Sequence, residues 1–177
     1  KLLNIWSWKN CDHLVTEIFE EDIKVVNRYV PKVPISYIPF GYASGRLEAS
    51  RASFSKMDVI NICTVSRVRF FEKKIDVMLD VVRGLVSAGY HINFVLCGDG
   101  EDFNLVKDIV VKERLEDFVT LRGYVDNARD IYSENDIALV ATVAGESGVS
   151  GMMALDAGCC LIGIESTDQE IEVSALN

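Results

Sequence analysis

Asp58-Val59-Ile60-Asn61-Ile62-Cys63-Thr64-Val65-Ser66-Arg67-Val68-Arg69-Phe70-Phe71-Glu72-Lys73-Lys74-Ile75-Asp76 joins a short apolar run to a cationic turn and then to residues of helical period. Residues 59–65 read as a buried strand, bounded by a polar turn. Arg67, Arg69, Lys73 and Lys74 all fall where that strand hands over to a helix. Ligands of open α/β sheets lie at strand ends, and a helix N-terminus adds unpaired N–H groups and the positive end of a dipole. A phosphate or diphosphate is the guest expected at such a turn. Solvated cations on an exposed loop would leave the same pattern.

Upstream, residues 1–13 carry Trp6 and Trp8 without a clear period, and residues 14–16 read as a short strand. Phe19, Ile23, Val26 and Val30 recur as one helix face does, and Pro31 and Pro34 close that helix. Residues 35–40 read as another strand, and the Ser-rich residues 43–56 as a loop. Downstream the pattern is regular. A helix over 73–88 places Ile75, Leu79, Val82 and Val86 on one face, with Gly89 just past its end. A strand at 92–97, the turn Gly98-Asp99-Gly100 and a helix carrying Phe103, Val106 and Val110 follow. The remaining pattern is a strand at 118–121, a short helix around 128–133, a strand at 137–141, a helix ending at Ala157 and a last strand at 159–164.

Strand and helix alternate repeatedly, and the strands do not alternate polar with apolar residues. Parallel sheets covered on both faces look like this, so the fold class is α/β, a doubly wound, Rossmann-like parallel sheet. Each βα loop then lies on the carboxyl edge of the sheet. The Arg/Lys turn and residues 98–100, 123–125 and 145–150 would converge on one crevice.

At 177 residues the chain suits one domain, or one domain plus part of another. Its 49% hydrophobic and 25% charged content excludes a disordered chain. No apolar run approaches the roughly 18–20 residues that span a bilayer, and no secretory leader pattern is present. A net charge of −9 opposes nucleic acid as a partner. The five cysteines are odd in number, and Cys63, Cys97, Cys159 and Cys160 sit in apolar runs, so free thiols in a reducing, cytoplasmic setting are expected. His13 and His91 are too few for a metal cluster, and no metal site is expected. A chain that opens on Lys1 and closes at Asn177, soon after a strand-like run, is expected to be a fragment of a longer protein.

Glycines in three loops let backbone N–H groups approach a ligand, although βα loops also need glycine simply to turn. There is no Gly-x-Gly-x-x-Gly and no Walker-type sequence, which disfavours an ordinary NAD enzyme or P-loop ATPase. Gly145-Glu146-Ser147-Gly148-Val149-Ser150-Gly151 leads into a helix. Backbone N–H groups from Gly148 onward and the Ser150 hydroxyl can hold a phosphate, and Glu146 can bond sugar hydroxyls. Equally, Ser147 or Ser150 can be a helix cap and Glu146 a solvated acid.

In order and spacing, Ile38-Pro39-Phe40-Gly41, the strand into residues 66–74, Val95-Leu96-Cys97-Gly98-Asp99-Gly100, Val119-Thr120-Leu121-Arg122-Gly123-Tyr124-Val125, residues 132–140 and residues 145–158 resemble the nucleotide-sugar half of family-four glycosyltransferases with the GT-B architecture. The resemblance covers about residues 35–165. It implies two Rossmann-like domains facing a cleft, with residues 1–34 a remnant of the N-terminal acceptor domain and hinge. Residues 35–177 would be the donor domain, truncated at its C-terminus. The implied reaction transfers a sugar from a nucleotide diphosphate sugar to a glycan, lipid-linked or protein hydroxyl acceptor, with retention and without metal or other cofactor. Peripheral membrane contact would then come through parts outside this chain, and the isolated piece would be inactive.

By position, Arg67, or Arg69 in its stead, and Lys73 correspond to the diphosphate-binding Arg and Lys of the family, joined by Gly148, Val149 and Ser150. Glu146 corresponds to the first acid of a two-glutamate motif and to the sugar contact. Gly98, Gly123, Tyr124, Val125 and Met153 fall where the nucleoside is held. Met153 or Ala154 stands in place of the second glutamate, which accepts from ribose in the family; Asp156 lies one turn on. That departure keeps open a catalytically degenerate, stabilising partner subunit, and a nucleotide-sugar epimerase on the same fold is a further alternative.

Overall fold

The computed structural model describes residues 2–16, 20–38, 59–141 and 148–164. Glu146 and the loop expected at 43–56 lie outside these described residues. The first elements are α1 (Leu2–Lys9), β1 (Leu14–Thr16), α2 (Glu20–Asn27) and β2 (Ile35–Tyr37). The two strands pair in parallel, Leu14 against Ile35. Helix α1 departs from the aperiodic reading of residues 1–13: it is only eight residues long, too short for its mixture of apolar residues with Asn4, Ser7 and Lys9 to display a period.

The main body alternates β3 (Ile60–Val65), α3 (Ile75–Ser87), β4 (Ile92–Cys97), α4 (Phe103–Lys112), β5 (Val119–Gly123), α5 (Ala128–Ser133), β6 (Ile137–Ala141), α6 (Gly148–Asp156) and β7 (Cys160–Ile164). Its five strands run parallel in the order β5-β4-β3-β6-β7. The chain therefore winds outward from β3 in one direction and returns to wind outward in the other. The reversal between β3 and β6 is the switch point beside which ligands of such sheets lie.

Consecutive strand residues serve two different cores, as the pleat requires. Ile62, Phe94, Leu96 and Leu139 meet Ile75, Met78, Leu79 and Val82 of α3 and Val106 and Val110 of α4. On the other face Cys63, Val95, Cys97 and Ala138 meet Ile131 and Tyr132 of α5 and Ala154 of α6. Small residues dominate the second core, so α5 and α6 approach the sheet closely. Coverage on both faces holds for the central strands but weakens at the edges, where Thr120, Arg122, Cys160 and Ile162 are exposed. An edge strand has a neighbour on one side only, and fewer helices cross it.

Helices α3, α4 and α6 end in one hydrogen-bonded motif. Past α3, Gly89 donates to Val86 and Tyr90 to Leu85; past α4, Arg114 donates to Val111 and Leu115 to Val110; past α6, Gly158 donates to Leu155 and Cys159 to Ala154. The residue after each cap is left-handed, at φ 80° for Gly89, 57° for Arg114 and 88° for Gly158. Lys74 is left-handed as well, at φ 51°, and it closes a turn before α3, so that helix starts at Ile75 rather than Lys73.

All five cysteines are free, with Cys63, Cys97 and Cys159 buried and Cys160 exposed. A hydrogen bond with Cys159, reinforced by burial, pushes the Cys63 thiol far above its ordinary range. Brief native-state treatment with iodoacetamide followed by peptide mapping should find Cys160 alkylated and Cys63, Cys97 and Cys159 intact. Exposed Arg114 occupies a position that favours glycine. Arg114→Gly should raise unfolding free energy by about 0.5–1 kcal/mol, read from the urea midpoint.

Candidate functional site

Beyond β3 the backbone continues alongside the loop that follows β4. Ser66 donates to the Cys97 carbonyl at 3.0 Å and Val68 to that of Asp99 at 3.0 Å, while Asp102 donates back to Val68 at 3.3 Å. The Asp102 carboxylate accepts from the Phe70 N–H at 2.9 Å. Val68 is fully buried between these loops. The two arginines flanking it therefore project from a main chain that is already fixed.

Gly98 and Gly100 make this contact possible. A Cβ on Gly98 would run into the Ser66 carbonyl, and one on Gly100 into the Val68 carbonyl. Gly98 also holds φ 139° and donates to the Gly123 carbonyl at 2.6 Å. Its N–H is thus occupied within the protein, and both glycines are accounted for by loop packing. Gly123 ends β5 at φ 69°, and the chain there turns into Tyr124 and Val125.

The stitched loops enclose a cleft of about 270 Å3 lined by Val65, Ser66, Arg67, Gly98, Asp99, Tyr124 and Val125. Arg67, Gly98, Tyr124 and Val125 are thereby brought together. Tyr124 keeps 76% of its surface exposed although it lines the cleft, so one ring face is open to a planar guest. Among the described residues no acid pairs with Arg67.

Arg69 is differently placed. Its guanidinium bonds Glu72 at 3.0 Å and Glu101 at 3.4 Å, and the hydrogen bond to Glu72, then the charge of Glu101, pushes its already high pKa further up. Lys73 lies 3.7 Å from the other oxygen of Glu72. Between the two arginines, Arg67 faces the cleft and Arg69 belongs to an acid-bearing cluster.

Gly148, Val149 and Ser150 form the first turn of α6, with Gly148 at φ 49°. Met153, three residues on, packs against the small-residue core. Asp156 is 3% exposed at its side chain and pairs with Arg129 of α5 at 2.9 Å, so its carboxylate ties two helices together. Three participants were not singled out in the sequence: Asp102, which fixes the Arg67 turn; Asp99, which lines the cleft; and Tyr132, buried beneath α6. The Gly-Asp-Gly-Glu-Asp run holds the first two, but nothing local shows which backbone they meet.

The sheet order, the switch point and a cleft at the strand ends that holds Arg67 are those of a Rossmann-like unit of the GT-B type. The profile described as glycosyl transferases group 1 matches residues 60–173, and the chain belongs to that family. Among curated proteins it is 26% identical over 151 residues to the UDP-N-acetylglucosamine–peptide N-acetylglucosaminyltransferase GtfA subunit of Streptococcus pneumoniae, covering 84% of this chain and 28% of that one. The structure resembles the pneumococcal O-GlcNAc transferase GtfA solved with UDP and GlcNAc (TM-score 0.72, 24% identity, 92% of this chain and 32% of that one). It also resembles S. aureus TarM (TM-score 0.69, 15% identity, 92% and 31%) and Anabaena HepE with UDP-glucose (TM-score 0.70, 13% identity, 99% and 56%). The chain thus spans about a third of the length of GtfA.

Gly100→Ala should lower stability by about 2–4 kcal/mol in urea unfolding, because the added methyl meets main chain rather than a movable side chain.

Proposed function

We propose that the chain is the donor-binding half of a glycosyltransferase that holds a nucleoside diphosphate sugar at the carboxyl edge of its sheet. The observation that carries this reading is Arg67, a guanidinium that lines a concave site together with an exposed tyrosine and that forms no ion pair among the described residues. Arg67 and Lys73 would meet the diphosphate, whose charge grows as the sugar departs and must be balanced by fixed cations and N–H dipoles. The first-turn N–H groups of α6 add to that field. Tyr124 and Val125 would receive the base. Gly98 serves by letting the Arg67 loop lie against its own, and Glu146 is assigned to the sugar by the family resemblance alone.

Transfer without a metal, with retention and to a hydroxyl acceptor, belongs to the same proposal. So does the assignment of residues 1–34 to an acceptor domain. The pairing of β1 with β2 supports it: two parallel strands with Val15 and Tyr37 exposed make no sheet that is stable alone, and belong with further strands. UDP is the natural first probe, since GtfA and HepE were solved with UDP or a UDP-sugar.

A second reading is favoured by Met153 and Asp156. With a thioether turned into the core and the neighbouring carboxylate committed to Arg129, α6 offers no acid for a ribose, as in a subunit that stabilises an active homologue. GtfA itself has been solved as a GtfA/B complex. Calorimetric titration of the intact protein with UDP and other nucleoside diphosphates separates the two. Binding is expected, weakened about tenfold or more by Arg67→Ala or Lys73→Ala and less than threefold by Arg69→Ala. No nucleotide binding by the folded protein would discard the donor-site reading in favour of the subunit.

A further inference from the structure

Tyr132 of α5 is the largest fully buried side chain among the described residues, at 0% exposure. It fills a layer made mostly of small neighbours, Cys63, Cys97, Ala138, Ala154 and Cys159. Its carbonyl accepts from the Cys159 thiol at 2.9 Å. Its hydroxyl, by contrast, completes no hydrogen bond. Phenylalanine would fill the same space without leaving a buried polar atom unsatisfied, so the hydroxyl is retained against a cost.

Ser150, on the first turn of α6, stands one helical turn before Ala154, which packs in the same core as Tyr132, and so lies on the face of α6 turned toward that ring, although the two hydroxyls make no hydrogen bond. Burial raises the phenol well above its ordinary range against the opposing influence of Ser150, so the proton is present to be donated. Helix α6 has nine residues, and the N–H groups of its first turn have no partner within the helix. A serine at that place can accept with its oxygen and donate with its proton at once. One bond fixes the direction of the other.

We propose that Tyr132 is a positioning residue of the donor site: its hydroxyl donates to Ser150 Oγ, which aims the Ser150 proton at an anion held by the N-terminus of α6. Without an anion the serine proton has no fixed direction, and the phenol is left as the structure has it. With an anion in place both hydroxyls are satisfied. The inference rests on the donor-site reading and adds to it a group that touches no ligand.

UDP titration of the intact protein, with Tyr132→Phe, Ser150→Ala and the double variant, tests it. Each single variant should bind UDP about three- to tenfold more weakly, and the double variant no more weakly than Ser150→Ala alone. Melting of Tyr132→Phe should match or exceed wild type, which separates a relay from a merely structural hydroxyl. Unchanged affinity in Tyr132→Phe, or losses that multiply in the double variant, would overturn the relay while leaving the donor site standing. Ser150→Ala with full affinity would overturn it whatever the fate of Tyr132→Phe. If wild type binds no UDP, the donor-site reading fails and the relay with it.

Discussion

One stretch of backbone lying on another creates the cleft. Residues 66–70 rest on residues 97–102 through three main-chain hydrogen bonds and a carboxylate, at a separation that leaves no room for a Cβ at Gly98 or Gly100. The contact depends in turn on β3 and β4 being neighbours in register, Val65 opposite Cys97, so that both loops leave the sheet at one level. Arg67 owes its position to this main-chain arrangement. With its main chain anchored, Arg67 lines the cleft without an ion pair among the described residues.

Much of the fold was legible because the central strands are continuous apolar runs and the helices carry one apolar face. Helix α5 and strand β6 fall where the pattern placed them, and Asn127 caps α5 by accepting from Arg129 at 3.2 Å. The misses in the main body share a cause: positions where backbone conformation runs against residue type. Lys74 and Arg114 stand where glycine is the usual occupant, so no local signal marked the late start of α3. Helix α1 was missed for another reason: eight residues with Asn4, Ser7 and Lys9 scattered among five apolar ones are too few to display a period.

The gathering of the loops after β3, β4 and β5 was legible in outline. That loops would gather at one rim follows from the order of elements. Which arginine enters the cleft does not, because the answer lies with Val68, which anchors the turn, and with Glu101, which reaches Arg69 from the next loop. The glycines posed the same difficulty: the space beside Gly98 and Gly100 is filled by protein, and a linear sequence does not name the neighbour. Nothing in the sequence around Tyr132 marks it, and only its environment distinguishes it.

The clasp of Glu72 and Glu101 around Arg69 has an effect beyond fixing a side chain. It offsets one cation on a body that carries a net charge of −9, which leaves Arg67 as the cation that lines the concavity. A long polyanion would meet repulsion over most of its length before reaching Arg67, while a compact anion of the kind proposed would meet far less. If the donor site is as proposed, discrimination between the two would be set by where neutralisation stops.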